Sequence, residues 1–183
     1  MAADHAVLVH FPIAWLMTAT LAILWRAVSD GPLARAADRA LVPLLVLGIL
    51  GGLVAYAVGL MVWPWEALSA SPLGRNHMLL ATWTLAYWAL VAATRWLQGE
   101  AVWEGVTRWV MVGLALLGSA LLGITGTLGG HLVGIYTEVS EALRFFGWEV
   151  FTTFYVPNFT LAAIVIAAVL LTAIGWWGRR AAA

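Results

Sequence analysis

The sequence predicts an all-α membrane protein: a bundle of about five transmembrane helices, with the N-terminus outside and the C-terminus in the cytoplasm. Three observations carry that reading. Of the 183 residues, 63% are hydrophobic and only 10% charged, a composition far from that of soluble globular domains. The apolar residues fall in runs of about 20, the length a helix needs to cross the hydrocarbon core. Tryptophans at 63, 65, 96, 103, 109, 176 and 177 sit at the ends of those runs, as in the aromatic belts of membrane interfaces.

Each run is read as a helix because a segment in lipid must close its own backbone hydrogen bonds. The first is expected from about Ala6 to Val28, with Asp4 as a cap and a bend at Pro12, which cannot donate to the carbonyl of Leu8. No basic region or A-x-A cleavage signal precedes it, so residues 1–28 read as a retained span. A polar loop over Ser29–Arg39 should follow. The second span, about Ala40 to Trp63, carries Gly48, Gly51, Gly52 and Gly59, which favour close approach of a neighbouring helix or a flat ligand.

Ser71-Pro72 is a start signal, serine as cap and proline in the first turn, for a third span ending near Trp96. The fourth runs from about Thr107 to Leu128, before Gly129-Gly130-His131. Residues 137–150 mix acids with large apolar side chains, as an interfacial helix does. A fifth span is expected from Pro157 to Trp177. The chain thus divides into a four-helix bundle over 1–135, an interfacial segment over 136–156, and an added helix with a cytoplasmic tail over 157–183. No internal repeat stands out.

Orientation follows from arginine. Arg26, Arg35, Arg39, Arg95, Arg108, Arg179 and Arg180 fall on one side of a five-span layout and only Arg75 and Arg144 on the other. The arginine-rich side is the cytoplasmic one, which suits a multi-pass protein of the bacterial inner membrane. Lysine is absent and the nine arginines balance nine acids, so there is no basic surface for nucleic acid. Cysteine is also absent, which excludes disulfides, thiolate metal sites, iron–sulfur clusters and covalent haem attachment.

With that topology His5, His10, His77 and His131, the chain's four histidines, all come to the outer face. His5 and His10 are separated by roughly 140° around a helix and about 7.5 Å along it, so they cannot readily ligate one ion together. Histidines on different helices can instead face each other across the bundle, as in helical-bundle haem and metal sites. Two axial imidazoles suffice for a haem iron. His10 and His77, each one to two turns inside a span, are the expected pair. His5 and His131 are nearer the surface and suit a second site or haem-propionate contacts. Gly123, Gly126 and Gly130 form a stripe on the fourth span that would admit a planar ring or a packed helix. Phe11, Trp15, Trp83 and Trp88 could wall such a pocket or fill the bundle core.

The opening His5-Ala-Val-Leu-Val-His10-Phe11-Pro12-Ile13-Ala14 resembles the H-P-x-x-V-H-F-P-I-A start of a bacterial four-helix membrane family, domain of unknown function 2231. Arg75-Asn76-His77 is similar to its R-x-H, and Gly129-Gly130-His131-Leu132-Val133 to its G-G-x-L-V-Y-x-H-G ending. Ala6 stands where the family has proline, and Tyr136 where it has its closing histidine. The resemblance covers about residues 5–135. It implies a haem b protein that works with periplasmic electron carriers.

No charged side chain is expected deep in a span, so a pump or transporter has no residues to run on. No Ser-His-Asp set, P-loop or dinucleotide fingerprint occurs. The expected function is that of a membrane-embedded b-type cytochrome with one or two haems, an electron-transfer subunit more than a stand-alone enzyme. It would relay electrons between a quinol or partner subunit and a periplasmic cytochrome c or cupredoxin. Two alternatives remain: a copper, zinc or iron ion held with nearby acids, and a structural subunit of a larger respiratory or photosynthetic complex.

Overall fold

In the computed structural model, the structure describes residues 2–155 together with Ala162, Ala163, Val165, Ile166, Val169 and Leu170. The ordered elements among the described residues are all helical. Four stretches are long and apolar enough to cross a membrane: Asp4–Val28, Pro32–Val62, Pro72–Trp103 and Thr107–Leu132. The fifth expected span, Pro157 to Trp177, lies outside the described residues apart from the six positions named.

The first stretch consists of α1 (Ala2–Leu8) and α2 (His10–Val28), broken at Val9. The break follows from Pro12, which has no N–H for the carbonyl of Leu8. Val9 itself keeps helical dihedrals, φ −64° and ψ −22°, and donates to His5 at 3.0 Å while Ile13 donates to Val9 at 3.3 Å, so the two helices run on as one span.

α3 (Pro32–Val62) begins eight residues earlier than the sequence suggested, and residues expected in a polar loop are its first two turns. Pro32 fits the first turn of a helix, and the polar residues there are satisfied by partners within the fold. Asp38 is 2% exposed. Arg95 grips it in bidentate fashion, Nε to Oδ1 at 3.0 Å and a terminal nitrogen to Oδ2 at 2.7 Å. Asp38 thus lies inside α3, about two turns from its start, where the sequence suggested a loop. Arg95 also reaches Glu100 at 3.1 Å, and Arg26 pairs with Asp30 and sits over the ring of Trp103. The Arg26 guanidinium beside Asp30, in the α2–α3 connection, holds its carboxyl below the usual carboxylate range. Trp103 is consequently buried, not part of an interfacial belt.

α4 (Trp65–Ala70) leads into α5 (Pro72–Gln98). Ser71 caps α5 as its sequence predicts, its hydroxyl accepting from the backbone N–H of Gly74 at 3.0 Å. A 3-10 turn (Gly99–Trp103) precedes α6 (Thr107–Leu132), which runs one turn beyond the expected Leu128 and takes Gly129, Gly130 and His131 into the helix. Gly134, at φ 79°, ends it. Ile135 donates back to Gly130 at 2.9 Å and Gly134 to His131 at 3.2 Å, the paired bonds of a left-handed helix stop.

α2 packs against α3 and α6, and α5 packs against the same two helices, so the four close into a ring. Leu16, Ile23, Leu41, Leu45, Trp88, Val91 and Met111 fill its centre. Lipid gives helices no hydrophobic reason to associate, and close contact with polar bonds must hold them. Gly118 lets α6 approach Trp88, where a Cβ would lie 2.8 Å from the indole. Thr20 bonds Ser119 at 2.8 Å and Thr84 bonds Thr125 at 2.9 Å across helix pairs. Trp88 is therefore core, not pocket wall.

α7 (Glu138–Phe145) turns Ser140 and Leu143 inward and leaves Phe145 exposed. Leu143 and Val150 pack on Leu73, Leu80 and Leu128 at the end of the bundle. Asn76, 0% exposed, ties the following segment to α5. Its amide donates to Thr153 O at 2.7 Å and accepts from Tyr155 N–H at 2.9 Å. Asn76→Leu leaves both backbone groups without partners, at about 1–3 kcal/mol each. The expected result is faster proteolysis between residues 145 and 155 with the bundle still folded, read by limited proteolysis in detergent. Unchanged cleavage would show that other contacts hold this segment.

Candidate functional site

The antiparallel ring brings the N-terminal ends of α1 and α5 and the C-terminal ends of α3 and α6 to one end of the bundle, and with them all four histidines. The buried charges Arg26, Asp38 and Arg95 are at the other end. Between the histidine-bearing helices is a cavity of about 330 Å³, lined by His5, His10 and His77 among mainly apolar side chains. That volume falls in the range of roughly 300–1,000 Å³ typical of ligand and cofactor sites.

His5 reaches from α1 to α3, where its Nδ1 is 2.9 Å from the carbonyl of Ala55, and its ring stands edge-on to Trp63 at 5.4 Å. His77 reaches from α5 to α6, with Nδ1 3.1 Å from the carbonyl of Thr125. A carbonyl only accepts, so in both rings Nδ1 is the donor, and in a neutral imidazole this tautomer leaves Nε2 as the free lone pair. This is the arrangement that orients ligating histidines in metal sites. Both rings line the same cavity. His10 is exposed at the rim, and its Nδ1 donates to Ala6 of its own helical turn at 2.6 Å.

The glycines divide. Gly126 and Gly130 line the cavity, and a Cβ at Gly126 would meet nothing within 4 Å. Gly126 is also exposed. Gly123 is outside the lining and belongs to the lipid-facing side of α6. Two glycines outside the expected stripe, Gly59 and Gly129, matter more. A Cβ at Gly59 would lie 2.9 Å from Cε1 of His5, and one at Gly129 would lie 2.8 Å from Cε1 of His77. Only glycine leaves these rings room. Tyr56 and Trp63 stand on the wall, where Phe11, Trp15, Trp83 and Trp88 were expected.

His131 faces elsewhere. Its buried ring donates from Nδ1 to Thr127 O at 2.9 Å and stands edge-on to Tyr136 at 4.9 Å. It lines a separate cleft of about 300 Å³ with Glu138, Glu141 and Arg144.

The family model described as "Predicted membrane protein (DUF2231)" matches residues 3–139, well over half of the chain. The chain belongs to this family. The match takes in the motifs at His5–Ala14, Arg75–His77 and Gly129–Val133 on which the resemblance rested. No curated protein and no solved structure matches the chain. Membership in this family of membrane proteins brings no activity with it, so chemistry must be read from the cavity.

A haem would find two imidazoles on separate helices, each with Nδ1 committed to a backbone carbonyl, apolar walls, and open space beside Gly126. These features fit the group. A metal ion held by three or more donors finds less: no group of three His, Cys, Asp or Glu side chains is gathered closely enough among the described residues.

Proposed function

We propose that the protein is a membrane-embedded b-type cytochrome, an electron-transfer subunit of the bacterial inner membrane whose haem b sits in the cavity at the histidine end. The observation that carries this reading is the pair of imidazoles, one from α1 and one from α5, each with its Nδ1 proton committed to a neighbouring helix and its Nε2 left for a metal. Arginine placement favours the histidine end as the periplasmic one.

Bound haem supplies a one-electron couple. The chain's own contribution is to hold and orient. The carbonyls of Ala55 and Thr125 orient the two rings, and Gly59 and Gly129 let them approach α3 and α6 closely. The apolar walls would keep water from a group bound there. Exposed Gly126 marks a side at which a quinol or another membrane subunit could exchange electrons, while the aqueous end faces a periplasmic cytochrome c or cupredoxin.

The test is a reduced-minus-oxidised spectrum of protein purified from cells supplied with haem precursor. A haem b α-band is expected, lost in His77→Ala. Wild-type protein that carries no haem under these conditions would overturn the reading.

A further inference from the structure

The two imidazoles in the cavity are held in the same way, and the likeness extends along both helices. His5 donates to the carbonyl of Ala55 and lies over Gly59, and His77 donates to the carbonyl of Thr125 and lies over Gly129. In both cases the glycine is four residues after the carbonyl. A helical side chain covers the turn on the N-terminal side of its own Cα, so removing it at that position uncovers the carbonyl for the ring. Eleven residues after each histidine the pattern returns, with Leu16 seated on Gly48 and Trp88 on Gly118. Each of those glycines is eleven residues before the one beneath its histidine.

The sequences agree once aligned on these contacts. His5-x-x-Leu8-x-x-Phe11-x-Ile13-Ala14-Trp15 matches His77-x-x-Leu80-x-x-Trp83-x-Leu85-Ala86-Tyr87, and Val42-x-Leu44-x-x-Leu47-Gly48 matches Val112-x-Leu114-x-x-Leu117-Gly118. Helix neighbours agree too, since α2 leans on α6 as α5 leans on α3. The cavity walls pair off in the same register, Val9 with Ala81 and Pro12 with Thr84.

We infer that residues 5–62 and 77–132 are two copies of one helical hairpin about a pseudo-twofold axis through the cavity, and that His5 and His77 are its equivalent ligands, one from each hairpin, for one metal centre. Both hairpins start at the same end of the bundle, so the axis runs along the membrane normal, as in parallel transporter repeats. The register excludes the other histidines from this role: His10 corresponds to Thr82 and His131 to Met61. The expectation of no internal repeat is replaced, and the partner of His77 becomes His5 where the sequence had suggested His10. The metal centre's identity as haem rests on the proposed function; the pairing rests on the hairpin geometry alone.

Two experiments on the full chain separate these. In the first, haem content is compared in His5→Ala, His77→Ala and His10→Ala. Loss of the α-band in the first two and retention in the third is expected; loss in His10→Ala with retention in His5→Ala overturns the pairing and leaves the haem reading standing. The second needs no haem. The chain has no cysteine, so a His5→Cys/His77→Cys variant contains one pair of thiols. One equivalent of Hg²⁺ should protect both from a thiol reagent, whereas a His10→Cys/His77→Cys variant should remain reactive. The reverse pattern overturns the inference even if the wild-type protein carries no haem.

Discussion

Asp38→Ala is expected to destabilise the protein by about 3–5 kcal/mol, because it leaves the Arg95 guanidinium buried without its bidentate partner. Both side chains are almost fully enclosed, Asp38 at 2% and Arg95 at 10% exposure. Glu100, 3.1 Å from Arg95, is exposed and compensates only in part. The measurement is reversible unfolding in mixed micelles, where the variant should melt well below wild type. Asp38→Leu/Arg95→Met should recover much of the loss, since replacing both members of a buried pair by apolar groups is often near neutral. Equal stability of Asp38→Ala and wild type would mean that water reaches this end of the bundle freely.

The second large effect concerns the cavity. Gly129→Ala places a methyl 2.8 Å from Cε1 of His77. The ring must swing away from Thr125 O and lose the bond that orients it. Outer-shell changes of this kind typically cost about 10–100-fold in metal affinity, while overpacking itself costs about 1–3 kcal/mol. Haem affinity of Gly129→Ala should therefore fall 10–100-fold in a folded protein, and Gly59→Ala should do the same through His5. Gly123→Ala is the control, since a Cβ there meets nothing within 4 Å and the residue is outside the cavity. If all three variants bound haem alike, ring orientation would not matter.

Much of the architecture was legible in the residues. The apolar runs mark four helices because lipid leaves no other way to satisfy a backbone, and Ser71-Pro72 marks the start of α5 because a cap acts through its nearest neighbours. The start of α3 was missed for a physical reason. Asp38 reads as a loop residue in sequence, and only Arg95, 57 positions away, makes it tolerable in a span. The same holds for Trp103, which looks interfacial until Arg26 is found above its ring.

The histidines follow that division. Alternating hairpin direction is enough to collect His5, His10, His77 and His131 at one end, because each span reverses the chain. Which imidazoles share a cavity depends on the rotation of each helix about its own axis, and that is not written in spacing. His5 turns inward because Gly59 makes room and Ala55 offers a carbonyl, His10 stays at the rim, and His131 turns to Tyr136. The repeat was hidden for a related reason: its matching positions are small or interchangeable apolar residues, which carry meaning only once the contacts beneath them are seen.

By itself the sequence determined a membrane-spanning helical bundle with imidazoles at one end and arginines concentrated at the other, because the cost of polar backbone and charge in lipid acts on each segment alone. The tertiary structure decided which histidines converge, which glycines seat them and which charges pair. Those depend on side chains from distant segments meeting at contact distance, where one methyl group is enough to forbid the arrangement.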